Sequence, residues 1–325
     1  MRLFLRQLGA ASLWIAAQSP RPAGKFCVLG PRSARFPAHP HPMRYSVDAV
    51  PGLCSFRIPL SGKHMALDTI DRTAKQVVLT VQDYSLFAYQ AFLDLFRPPI
   101  YWTDFLMQAD IIGVGSLSIV ILSGLSTGGV LALQSASTLS AFGATAVTGQ
   151  FVSKTMIREL GPVLTGVMVS GRNASSMASE LGSMVVTEQI DAMRALGVDP
   201  IRKLVTPRIF AAIAMLFFLT IVSDACGIIG GGLVTVIMNH QNGPQYFAMA
   251  WEHLRFSEIL QGLVKPLFFG YILSSVGCFY GMRTTGGTEG VGRSTIQAVV
   301  TASVIIIFVD FLITQVLLSV FSGTM

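Results

Sequence analysis

The sequence predicts an all-α, polytopic membrane protein. It should have an N-terminal interfacial amphipathic helix, five transmembrane helices and a short surface helix on the cytoplasmic side. Three observations predict this. Only 12% of the 325 residues are charged and 52% are hydrophobic, against roughly 25% charged in a soluble domain. The mean hydropathy is +0.60. The apolar residues fall in runs long enough for the roughly 20 residues that a bilayer requires.

The first 64 residues differ from the rest. They carry nine Lys/Arg against one acid, Asp48, and hold 8 of the 15 prolines. The remaining 14 basic and 16 acidic residues leave the body slightly acidic, so the net charge of +6 belongs to the leader and points to no nucleic acid. Such a segment buries too little apolar surface to offset its chain entropy and is expected to be disordered. Three readings fit it: an Arg-rich, acid-poor transit peptide, a signal peptide with Arg2 and Arg6 before the apolar run Leu8–Ala17, or an upstream translation start with Met65 as the true one.

Residues 65–104 are read as the interfacial helix. Leu67, Ile70, Ala74, Val77, Val78, Val81, Ala88, Phe92 and Leu95 follow a helical period, and Asp68, Asp71, Arg72, Lys75 and Asp83 fall largely opposite. Pro98–Pro99 end it, and Tyr101 and Trp102 sit at the depth of an interfacial aromatic belt. Residues 105–325 form the membrane domain, with spans near 105–133, 150–181, 207–238, 256–282 and 291–321. The third is long enough to tilt or break near Asp224 or Gly230–Gly232. Arg194, Arg202, Lys203, Arg208, Arg283 and Arg293 lie in two loops, against Arg255 alone on the other side. The 182–208 and 283–293 loops are therefore cytoplasmic and the C-terminus is not.

Arg158 and Glu159 lie inside the second span, where a charge is costly unless paired or hydrated. They are read either as a lipid-facing site or as an ion pair between helices, and Pro162 one turn on should loosen the backbone. Gly161, Gly166, Gly171, Ser175 and Ser179 are candidates for close helix packing or a dimer face, as are Ala174, Ala178 and Gly182. The segment TEQIDAMRALG over 187–197 makes a short amphipathic helix. Thr187 is its cap, Ile190, Met193 and Leu196 are its apolar face, and Gly197 and Pro200 end it. Asp224, Lys265 and Asp310 are the other intramembrane charges; Lys265 can pair with either acid, and the three could instead form an ion relay.

Catalytic chemistry is not expected. Residues 287–294, GTEGVGRS, approach a phosphate-loop pattern, but a span precedes them where a strand is needed. Cys27, Cys54, Cys226 and Cys278 have no metal or disulfide spacing, and His240 and His253 share an outer loop. No cofactor and no metal are predicted.

The stretch RELGPVLTGVMVSGRNASSMASELGSMVVTEQIDAMRALGVDPIRKLVTPRIFA, over 158–211, with GGTEGVG near 286–292, resembles the signature of the MlaE family. These are permease subunits of ABC-type lipid transporters that work with MCE-domain proteins. The likeness covers roughly 66–321; Asn173 stands where the family more often has a small residue. It implies a homodimeric, non-catalytic permease for phospholipid or another amphipathic lipid, in a bacterial inner membrane, or in an organellar inner envelope if the leader is a transit peptide. ATP would be hydrolysed by a separate ATP-binding cassette ATPase subunit. Glu188, Gln189, Ile190, Asp191, Met193 and Arg194 would form the coupling helix docking on that ATPase, and Arg158, Glu159 and Pro162 would line the lipid pathway. An ion-coupled secondary transporter using Asp224, Lys265 and Asp310 is the alternative.

The composition break at Met65 makes the leader dispensable. Deleting residues 1–64 should leave membrane insertion and lipid transport at wild-type level; loss of either at full expression would count against this.

Overall fold

The computed structural model describes residues 62–95, 101–239, 241–252 and 254–321. The leader expectation therefore lies outside the described residues, as do His240 and His253. In chain order the helices are α1 (Gly62–Asp94), α2 (Trp102–Ser140), α3 (Thr148–Thr155), α4 (Gly161–Val186), α5 (Gln189–Ala195), α6 (Thr206–Asn239), α7 (Gly243–Glu252), α8 (Phe256–Met282) and α9 (Gly287–Phe321). Five-residue π-helical turns, Met156–Leu160 and Ile201–Val205, lead into α4 and α6.

Four stretches among the described residues are long and apolar enough to cross a membrane: Trp102–Ser140, Ile201–Met238, Phe256–Met282 and Gly287–Ser319. Five were expected. The remaining one is the continuous rod formed by α3, the π turn and α4. It carries Lys154, Arg158, Glu159, Arg172 and Glu180, so composition alone does not qualify it. This least apolar helix packs against all four apolar ones, most extensively α8 and α9. Neighbours satisfy several of its polar groups. Ser170 bonds Ser303 of α9 at 2.9 Å, Asn173 bonds Ser116 of α2 at 3.3 Å, and Glu180 pairs with Arg208 of α6 at 2.7 Å. Asn173 thus ties two helices together. Arg208 is buried in α6 and is not the loop charge it was taken for.

The interior also depends on missing side chains. A Cβ on Gly128 of α2 would collide with the backbone of Gly227 of α6, and one on Gly230 with the carbonyl of Leu125. These glycines bring two helix backbones together, a close approach that lets apolar helices associate in lipid. Of the two readings of the third span, tilt or break, the break does not occur. α6 runs unbroken past Asp224, and Gly230, Gly231 and Gly232 serve packing against α2 and against Tyr246 and Phe247 of α7.

α1 lies against the bundle through a face that the aliphatic period did not single out. Ala91 is buried, and Tyr84 and Phe87 pack on Phe279. The Tyr84 hydroxyl meets that of Ser275 at 2.9 Å, and Tyr271 donates to the Ala88 carbonyl. Val78, Val81 and Phe92, counted on the apolar face, are exposed on the protein surface. An exposed aliphatic stripe beside the spans suits a helix at the membrane interface. α2 begins at Trp102, so residues 102–104 belong to the first span rather than to the interfacial segment.

Gly128→Leu should destabilise the protein by about 1–3 kcal/mol or more, since a backbone cannot yield to an overpacked side chain. Gly292→Ala, with open space around it, should not lower stability. Thermal unfolding of the purified protein in detergent checks both.

Candidate functional site

The first π turn, Met156–Leu160, carries Arg158 and Glu159. The Gly161 N–H bonds the Met156 carbonyl five residues back, and Pro162 has no N–H to offer the Arg158 carbonyl. The second π turn is built the same way, with Thr206 bonded to Ile201 just before Pro207. In both, the wider turn absorbs the ring that would crowd the preceding helical turn. Pro162 thus follows directly on an ordered, hydrogen-bonded π turn.

Around this turn the helices approach closely. A Cβ on Gly262 of α8 would strike the Ile157 carbonyl. One turn later, Lys265 reaches Glu159 at 2.5 Å and Asp310 of α9 at 3.0 Å, and the Thr314 hydroxyl donates to Glu159 at 3.2 Å. The Lys265 side chain is 1% exposed, Asp310 17% and Glu159 38%. A fully buried ammonium thus sits between two carboxylates from different helices, one of them open to a cavity. The ion pair of Arg158 with Glu159, one of the two readings of these residues, is not formed among the described residues. Successive residues on a helix diverge by about 100°, and Glu159 turns inward to Lys265 while Arg158 turns away.

Arg158 instead lines a groove of about 400 Å³ with Leu139, Val147, Gln150, Phe151, Lys154 and Thr155, and Glu159 reaches it from the inner side. Lys154 is paired with Glu258 at 3.3 Å. Among the described residues Arg158 has no acidic partner. The groove therefore offers apolar walls and an available guanidinium. Asp224 is separate: its carboxyl lies against Gly161 and its Oδ1 has no hydrogen-bond partner among the described residues. Lys265 takes Glu159 and Asp310, not Asp224.

The small residues divide between two faces. Gly161 admits Asp224, and Gly166 packs on Phe269 and Ile306. Gly277 and Gly281 of α8 fit against Ala174 and Ala178, and Gly182 against Thr284. Gly171 has open space, and Ser175 and Ser179 lie beside it, half-buried. The row Ala174/Ala178/Gly182 is internal packing; the row Gly171/Ser175/Ser179 meets no neighbour so tightly.

At the other end, Thr187 does not cap α5. Its hydroxyl donates to the Ser183 carbonyl of α4, and Glu188 makes the turn in a left-handed conformation, φ 58°. Gly197, φ 77°, ends α5 as expected. Ile190 is buried within the chain, Met193 is half-buried and Leu196 is 81% exposed. Steps of three residues drift by about 60° each, so the three do not share one face. Glu188, Gln189, Asp191 and Arg194 are exposed, and Arg194 pairs with Asp191 at 2.9 Å. α1 is held beside α5: Asp83 pairs with Arg283 at 2.8 Å and Asp94 with Arg202 at 3.3 Å. The turn before α9 is shorter than expected. Gly286 and Gly287, both at positive φ, make it, and GTEGVGRS is the start of α9 rather than a loop.

A helical membrane bundle with a charge cluster inside and a half-apolar groove beside it defines a membrane transport component. The chain belongs to the MlaE permease family, whose model, Permease MlaE, matches residues 105–316. Similar proteins include a "Probable ABC transporter permease protein" of Rickettsia typhi, 37% identical over 79% of this chain and 100% of its own. The intermembrane phospholipid transport system permease protein MlaE of Haemophilus influenzae is 35% identical over 65% of this chain and 81% of its own. The chloroplastic protein TRIGALACTOSYLDIACYLGLYCEROL 1 of Arabidopsis thaliana is 34% identical over 71% of this chain and 66% of its own. The chain is thus the permease component of an ABC-type transporter.

Sequence reasoning offered Asp310 as one of two partners for Lys265, and that pair forms, but it did not foresee Glu159 in the cluster and it missed Glu180–Arg208. The charges share no sequence neighbourhood, so only their unusual depth signalled them. Lys265→Met, which leaves two acids without a cation, should cost about 3–5 kcal/mol. Glu159→Gln keeps Lys265–Asp310 and is partly hydrated, so it should cost within about 1 kcal/mol. Melting temperatures in detergent read the difference; the opposite order would make Glu159 the structural member.

Proposed function

We propose that this chain is the membrane subunit of a phospholipid transporter. It is powered by a separate ATP-binding cassette ATPase and works as a homodimer with an MCE-domain lipid-binding partner. The observation that carries the reading is the groove at Arg158. An amphipathic lipid needs apolar walls for its chains and a cation for its phosphate, and the groove has both. The buried Glu159–Lys265–Asp310 cluster beside it supplies a fixed ion pair whose exposed member, Glu159, meets the cargo. The phospholipid named for the Haemophilus relative supports the cargo class.

The open row Gly171, Ser175 and Ser179 is the face where a second copy would pack. The exposed α5 residues Glu188, Gln189, Asp191 and Arg194, with Met193 half-buried behind them, are where the ATPase would dock, and Ile190 anchors α5 from beneath. A bacterial inner membrane is the setting, or an organellar inner envelope; the Arabidopsis relative is named as chloroplastic. The ion-coupled alternative has less support. Lys265 and Asp310 are occupied by one another and by Glu159, and Asp224 stands apart at Gly161.

Glu188→Lys with Asp191→Lys reverses two exposed charges and should leave the bundle folded. Co-purification of the ATPase should fall severalfold. Wild-type stoichiometry in the double variant would refute docking through α5, and transport driven by an ion gradient without ATP would favour the alternative.

A further inference from the structure

Arg172 plays no part in the arrangement described so far. It lies on α4, fourteen residues beyond Arg158, or about 21 Å along the same rod. Its depth is fixed by its neighbours. Ser170 is bonded to Ser303, which stands midway along the apolar stretch Gly287–Ser319, and Asn173 is bonded to Ser116 of α2. The guanidinium therefore sits near the middle of the membrane, yet Arg172 is exposed on the surface of the chain. Among the described residues it has no ion pair and no hydrogen bond.

The fold makes room for it. The guanidinium lies across Gly115 of α2, with Nη2 2.5 Å from where a Cβ would stand. No acid answers it. On α2, Asp110 is five residues from Gly115 and so about 140° around the helix. Glu180 is held by Arg208. The residues beside Arg172 on its open face, Gly171, Ser175, Ser176 and Ser179, are uncharged. An unneutralised charge at this depth is expensive and marks a pathway or binding function.

We propose that Arg172 is a second anion station, binding the phosphate of a phospholipid headgroup as it moves along α4 from the groove at Arg158. The planar guanidinium fork matches a phosphate better than an ammonium does. The small and hydroxyl residues around it leave space for a headgroup. This proposal rests on the phospholipid reading above and adds a site to it.

The test measures phosphorus carried by the full-length protein purified in detergent, partitioned between chloroform and water, for wild type, Arg172→Gln, Arg172→Lys, Ser176→Asp and Arg158→Gln. Ser176→Asp places an acid one turn from Arg172 and neutralises it without removing it, so it carries the test if Arg172→Gln does not fold. Arg172→Gln and Ser176→Asp should each lower chloroform-soluble phosphorus per chain at least twofold with an unchanged melting temperature, and Arg172→Lys should retain most of it. Wild-type phosphorus in both variants overturns the station. So does a fall in melting temperature or loss of the oligomer with lipid content unchanged, which would assign Arg172 to structure. Phosphorus in the aqueous phase would mean free phosphate and would overturn the lipid assignment. If Arg158→Gln alone depletes lipid, the second station fails and the transport reading stands. If none of the variants does, the groove reading fails as well.

Discussion

The bundle is organised around a lysine ammonium held in the interior of a membrane protein. Lys265 is 1% exposed, and a lone cation there would be prohibitive. Its two carboxylates come from separate helices, Glu159 from the rod ahead of α4 and Asp310 from α9. Three helices must therefore meet at one depth and in one rotation. Gly262 permits that meeting by letting α8 rest on the Ile157 carbonyl. The cluster joins two carboxyl groups to one ammonium, and Glu159 is the member that opens to the groove.

The same logic explains why the most polar of the five spanning segments packs against all four apolar ones. Away from lipid, polar side chains specify partners rather than oppose insertion. Ser170 finds Ser303, Asn173 finds Ser116 and Glu180 finds Arg208, at three levels along one rod. α2 and α6 are instead held by glycines, which bring backbones into contact where no hydrophobic force distinguishes a helix from lipid.

Both π turns stand immediately before an X-Pro step. One presents Arg158 and Glu159 to the groove; the other follows α5 and carries Arg202 and Lys203, paired with Asp94 and Asp104. The start of α6 is thus tied to α1 and α2, and farther along α6 Asp224 rests against Gly161, next to the first π turn.

The sequence by itself determined the class, the helical segments and the family. Hydropathy needs only composition, and the 158–211 motif is contiguous. It also marked Arg158, Glu159, Asp224, Lys265 and Asp310, because a charge at that depth is conspicuous without any partner in view. Only the tertiary structure decided who pairs with whom. Lys265 lies 106 residues from Glu159, and no local pattern encodes which faces of two distant helices turn together. For the same reason Thr187 looked like a cap for α5 and serves α4, Ile190 looked like docking surface and is buried, and Arg208 looked like a loop charge and is interior. Each depends on a helix rotation that packing alone sets, through glycines whose role is visible only when the opposing backbone is in place.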